Sequence, residues 1–137
     1  MENCIFCKIA KGEIPSNKVY EEGDIFAFLD IQPASRKGGH TLIIPKKHYE
    51  TIDEIPEALL NKVMKVVKKV SIAIMKLSDG VNIVQNNKKA SGQFVPHIHF
   101  HVIPRYKDDG IRIEKWECHK YEEGEAEKMA DKIKELL

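Results

Sequence analysis

No stretch of this chain approaches the roughly 20 apolar residues needed to cross a bilayer; runs such as Val81 to Val84 are far shorter. An excess of one charge is missing as well. The formal net charge is only +1 over 137 residues, so no general attraction to nucleic acid or to an anionic membrane is expected, and any bound anion must be held by local groups. The opening MENCIFCKIA lacks the basic start and longer apolar run of a secretory leader, which predicts a cytoplasmic protein with reduced thiols. Cysteine is scarce: Cys4, Cys7 and Cys118 make an odd number. In a reducing setting the close pair Cys4 and Cys7 favours metal or redox chemistry over a structural disulfide. Repeats, low-complexity tracts and linkers are absent too, so residues 1–137 are expected to form one domain with one core and one functional site.

What is present alternates or recurs with clear periods. Residues 19–22 and 25–30 read as two strands around a turn at Gly23 and Asp24, and 41–45 as a third strand stopped by Pro45. From Ile55 to Leu77 apolar residues return at three-and-four spacing, which predicts a long amphipathic helix with Pro56 in its first turn. Residues 81–85 and 97–103 alternate again as strands, separated by the polar loop NNKKASGQF. A final helix is predicted from about Gly124 to Leu137, with Ala126, Met129, Ala130, Ile133 and Leu137 on one stripe. This order, strands then a long helix then strands and a last helix, predicts an α+β domain built on an antiparallel sheet.

The segment HIHFHVI at 97–103 places His97, His99 and His101 on alternate positions. Successive strand side chains point to opposite faces, so the three imidazoles share one face while Ile98, Phe100 and Val102 share the other. Neighbouring histidines on that face have Cα atoms roughly 6.5 Å apart, close enough for one phosphate or metal to touch two of them. Two chemistries suit such a face: a three-histidine metal site with an open position, or an imidazole nucleophile whose neighbours move protons. The preceding SGQFVP, with Gly92 and adjacent amides able to cradle a phosphate, favours phosphoryl chemistry.

HIHFHVI resembles the signature of the histidine-triad (HIT) superfamily, and the resemblance continues through FAFLDIQP at 26–33, GHTLIIPKKH at 39–48 and NNKKASGQFVPHIHFHVIPR at 86–105. The N-terminal CxxC is similar to that of zinc-bearing, Hint- or Fhit-like members. The resemblance implies a five-stranded antiparallel sheet with one long helix and a short or C-terminal helix, two protomers joining into a ten-stranded sheet. It implies a hydrolase or transferase acting at the α-phosphate of nucleoside 5′-phosphate compounds, of the adenosine phosphoramidate or dinucleoside polyphosphate type.

Carried over residue by residue, His99 is the nucleophile that forms a nucleotidyl-histidine, and His101 assists phosphate contacts and proton transfer. Gln93 contacts the α-phosphate, and His40 supports the proton relay beneath the triad. Asp30 accepts the ribose hydroxyls, Leu29 and Ile31 flank the base, and Asn86 contacts ribose or phosphate. Gly92 and Phe94 complete the substrate-binding set, although Phe94 departs from the smaller residue common beside this glutamine, which leaves its backbone N–H as the contact. A structural zinc is implied on Cys4, Cys7, His48 and His97. Two further readings remain open at this point: a zinc-stabilised nucleotide-binding module with little turnover, and a three-histidine metallohydrolase.

Overall fold

The structure, a computed structural model, describes residues 3–113 and 115–137. Its elements in chain order are α1 (Ile5–Ala10), β1 (Lys18–Glu22), β2 (Ile25–Leu29), β3 (Thr41–Pro45), α2 (Glu57–Met75), β4 (Gly80–Gln85), β5 (Phe100–Arg105) and α3 (Glu125–Leu136). The five strands form one sheet in the order β1-β2-β3-β5-β4, antiparallel at every pairing. The α+β architecture expected from the sequence is therefore present. β1 and β2 turn back through Gly23 and Asp24, with Glu22 paired to Ile25. Gly23 has φ +54, a conformation that favours glycine.

Two apolar layers sandwich the sheet. On one face Val63, Val66, Val67, Val70 and Ile74 of α2 pack on Ile25, Ala27, Ile43, Ile98, Phe100 and Val102. These helix positions follow the three-and-four spacing, and each fully buried aliphatic side chain contributes about 1.5–3 kcal/mol of transfer free energy. Pro56 caps α2 in extended conformation, where its missing N–H costs nothing. On the opposite face Phe6 and Ile9 of α1 pack with Phe26, Phe28, Leu42 and Ile44, which floors the site described below.

One expectation needs correction. The histidine strand begins at Phe100 rather than His97, and runs on through Pro104 and Arg105. Ahead of it, the His97 N–H closes a turn onto Val95 O (2.8 Å) and the Ile98 N–H bonds Tyr49 O (2.7 Å). These backbone groups are diverted from the ladder, yet the side chains continue to alternate. The last helix forms as α3, but none of its residues is buried; its apolar stripe meets no core in this chain. No helix among the described residues is long and apolar enough to cross a membrane.

Candidate active site and metal centre

β2 and the start of β5 deliver the polar side chains to the α1 face. A cavity of about 480 Å³ opens there, walled by Phe28, Leu29, Asp30, Ile31, Asn86, Gly92, Phe94, His99 and His101, with Ile5, Phe6, Ile9 and Ile14 from the N-terminal segment. Its size and mixed lining suit a small ligand with an apolar body and a charged end.

The hydrogen-bond partners decide which ring nitrogen of each histidine carries its proton. Nδ1 of His99 lies 2.7 Å from His97 O. A carbonyl only accepts, so the proton sits on Nδ1 and the Nε2 lone pair is free. The Ala34 N–H donates to Nδ1 of His40 (3.0 Å), which puts the His40 proton on Nε2. That Nε2–H points at Nδ1 of His101, 2.9 Å away, and leaves His101 with its own proton on Nε2. Asp30 stands behind the pair, Oδ2 at 3.7 Å from His40 Nε2, while its Oδ1 accepts the Gln32 N–H at 2.8 Å.

Burial keeps these rings neutral. It lowers His101 to about 4, with His99 and His40 adding to the effect. Burial also lowers His99, against the opposing bond to His97 O, and lowers His40, against the opposing charge of Asp30. A neutral imidazole with a free Nε2, beside a neutral imidazole offering Nε2–H, is a nucleophile next to a proton donor.

His97 is turned to a different task. Its Nε2–H bonds Pro45 O at 2.7 Å, so its Nδ1 lone pair faces Cys4 Sγ (3.4 Å) and Cys7 Sγ (3.5 Å). His48 Nδ1 lies 3.5 Å from Cys7 Sγ. The four donor atoms lie within 4.8 Å of one another. Helix capping assembles the two sulfurs: Cys4 is the N-cap of α1, and its Sγ accepts the Cys7 N–H, as an N-cap side chain does for the third helical residue.

These distances fit a metal. A tetrahedral zinc with typical bond lengths separates a sulfur from a nitrogen donor by about 3.5 Å. Burial, with the neighbouring Cys4, pushes the Cys7 thiol up, whereas a redox-active pair needs a lowered thiol. Asp30, His40 and His101 form a second cluster of metal-ligand type, but there His40 Nε2 must donate, because its Nδ1 is taken by the Ala34 N–H. That cluster has the form of a proton relay. The three triad imidazoles do not converge on one point, which removes the geometry a three-histidine metal site requires.

The family model described as HIT domain matches residues 11–108. The chain belongs to the HIT family. It is 56% identical over 108 residues to an uncharacterized HIT-like protein of Methanocaldococcus jannaschii, covering 78% of this chain and 82% of the relative. It is 44% identical over 134 residues to the adenosine 5′-monophosphoramidase HNT1 of Saccharomyces cerevisiae, covering 98% of this chain and 80% of that one. A crystal structure of a HIT family member from Bacillus subtilis superposes with a TM-score of 0.90 at 40% identity, over 98% of this chain and 97% of that chain.

Of the HIT residues named from the sequence, Leu29, Asp30, Ile31, Asn86, Gly92, Phe94, His99 and His101 all line the cavity, with His40 directly behind His101. Gln93 does not line it. Its Oε1 accepts the Lys88 N–H (2.6 Å) and its Nε2 donates to Glu50 O (2.8 Å) and Val95 O (3.1 Å). Here the amide ties the loop together instead of facing the histidines. Gly92, at φ +95, borders the cavity, but its N–H closes a 3₁₀ turn onto Lys89 O (3.0 Å), so it is not a free phosphate donor. Sequence reasoning missed Phe6, whose ring meets His99 edge-on at 5.1 Å and His97 at 6.0 Å. Its place between the two cysteines of CxxC was the available signal.

Proposed function

We propose that this chain hydrolyses nucleoside 5′-phosphate compounds at the α-phosphate through a nucleotidyl-histidine on His99. The observation that supports it most is the Nδ1 of His99 held 2.7 Å from His97 O, which directs an unprotonated Nε2 to the cavity. The apolar end, with Leu29 and Ile31, suits a purine base, and Asp30 suits the ribose hydroxyls; the name of the yeast relative supports adenosine. Asn86 and Phe94 both line the cavity, and the reading assigns ribose and phosphate contacts to the Asn86 side chain and the Phe94 backbone N–H.

In the first half-reaction the Nε2 lone pair attacks phosphorus. The Nε2–P bond forms as the bond to the leaving group breaks, and its electron pair departs with that group. Where the group is an amine, it takes the His101 Nε2 proton. In the second half-reaction water attacks the same phosphorus, the P–Nε2 bond breaks, and the water proton returns to His101. His40 keeps His101 in the required tautomer throughout. Gln93, through the bonds it makes here, holds the flanking loop; a direct phosphate contact requires its amide to rotate.

Cys4, Cys7, His48 and His97 would hold a structural zinc, since two thiolates and two imidazoles in closed tetrahedral array are its preferred set. When bound, zinc ties the N-terminus to the base of β5. The chain is expected to act as a cytoplasmic homodimer: β4 is an edge strand with Ile83 exposed, a surface that needs cover. Incubating purified protein with adenosine phosphoramidate and dinucleoside polyphosphates, beside His99→Ala, tests the reading. Turnover by wild type alone supports it; equal turnover by both refutes it.

A further inference from the structure

Phe6 lies between the two cysteines of the metal-ligand cluster and on the wall of the active-site cavity. Its ring meets three others edge-on: His99 at 5.1 Å and 87°, Phe28 at 5.5 Å and 76°, and His97 at 6.0 Å and 70°. We propose that Phe6 is a positioning residue for His99, its ring holding the imidazole at the angle that keeps Nε2 aimed into the cavity. The inference rests on the hydrolase reading above and adds to it the group that orients the nucleophile.

The need for such a group follows from histidine itself. The torsion that turns an imidazole about its Cβ–Cγ bond is broad and roughly two-fold, unlike the three sharp wells of an aliphatic side chain. The bond from Nδ1 to His97 O decides which nitrogen carries the proton, but one hydrogen bond keeps most of its strength over about 30° of misalignment. A packed neighbour narrows that range. His99 is 6% exposed, and the rings beside it are Phe6 and His101, the latter at 4.9 Å and 60°. His101 handles the proton in the proposed mechanism, which leaves Phe6 as the neighbour that acts by contact alone.

Phe6 can do this because it is itself held. Cys4 caps α1 and its Sγ accepts the Cys7 N–H (3.4 Å), while the Lys8 N–H bonds Cys4 O (3.1 Å), so the turn that carries Phe6 has a fixed start. The ring is buried and is backed by Phe28, which β2 pairs with Leu42 of β3. Edge-on contact is a preferred arrangement of two aromatic rings, and it sets an angle as well as a separation. An aliphatic side chain of similar volume fills the space but has no ring edge to define that angle.

The consequence falls on rate rather than affinity. An attacking atom displaced by about 1 Å loses on the order of 100-fold in rate, whereas the base and ribose contacts assigned above to Leu29, Ile31 and Asp30 stay in place.

The test compares wild type with Phe6→Leu, Phe6→Tyr and Phe26→Leu. Phe26→Leu makes the same deletion in the same apolar layer, at a ring that meets Phe28 rather than a histidine. On adenosine phosphoramidate, Phe6→Leu is expected to lower kcat by about 10- to 100-fold with KM changed by less than about threefold. Phe6→Tyr, which keeps the ring, should recover most of that loss, and Phe26→Leu should keep the wild-type kcat. Heteronuclear NMR of the free proteins reads the His99 side chain directly, with one Nδ1–H tautomer and one rotamer expected in wild type and averaging in Phe6→Leu. A rise in KM with kcat unchanged makes Phe6 a wall of the binding pocket and overturns the proposal. So does an equal fall in kcat for Phe26→Leu, the mark of a general packing loss, or a tyrosine variant as slow as the leucine one. Rotamer averaging at His99 in wild type overturns it whether or not the variants fold. Inactive wild type whose His99 is ordered only when Phe6 is present refutes the hydrolase reading and upholds the hold of Phe6 on the ring.

Discussion

The Nδ1–H of His99 bonds the carbonyl oxygen of His97 at 2.7 Å, and the same His97 presents its ring Nδ1 to Cys4 and Cys7. One residue thus links the metal-ligand cluster to the proposed nucleophile: its side chain belongs to one and its backbone holds the other. Cys4→Ser is expected to lose close to one zinc per chain and to melt about 10 °C or more below wild type, since metal binding is coupled to folding. Metal analysis and calorimetry check both. A metal-free wild type of equal stability would remove the site.

In the proposed mechanism His40 acts through His101, to which it is hydrogen-bonded. Replacing it with alanine leaves the Ala34 N–H and His101 Nδ1 without their partner, so the His101 proton is no longer confined to Nε2. A fall in kcat of about 10- to 100-fold is expected with little change in KM, and His40→Gln, which keeps an acceptor and a donor, should recover part of it. Steady-state kinetics on all three proteins decide; a change in KM alone would give His40 a binding role.

The pH dependence follows from burial. His101 is lowered from 6.5 to about 4, and His40 is lowered as well. Between those limits the unfolded chain binds more protons at His101 than the native one does, so stability rises with pH across that window and is lost as pH falls through it. Protonation of His101 also fills the Nδ1 that accepts from His40. Both kcat/KM and melting temperature should therefore be level at neutral pH and decline together in acid. A rate that rises on acidification below the ordinary histidine range would contradict neutral rings.

Much of this was legible in the sequence because period and burial coincide. Ile25, Ala27 and Ile43 alternate onto one face, and Val63, Val66, Val67, Val70 and Ile74 return with helical spacing, so strands, long helix and core were readable. The alternation of His97, His99 and His101 placed their side chains correctly but not the start of β5. That start depends on where the His97 and Ile98 N–H groups find acceptors, and Val95 O and Tyr49 O lie outside any local pattern. The inward turn of Gln93 was hidden for the same reason, as its partner Glu50 lies 43 residues away. The tautomer chain through Ala34, His40 and His101 exists only once β3 and β5 pair. The stripe on α3 predicted a helix, but a stripe does not specify what it packs against.

Assembly is tested separately. With β4 at the sheet edge and α3 unburied, light scattering at micromolar concentration is expected to give twice the chain mass. A monomeric mass would leave that edge and helix without the partner inferred for them.

The central claim is the covalent intermediate on His99. Rapid acid-free quenching of enzyme mixed with α-labelled substrate, followed by peptide mass spectrometry, reads it directly. The account expects a nucleotidyl group on the peptide bearing His99, formed faster than steady-state turnover and absent in His99→Gly. Turnover with no adduct, together with inversion of configuration at a chiral α-phosphorus, would show that water attacks directly and that His99 is not the nucleophile.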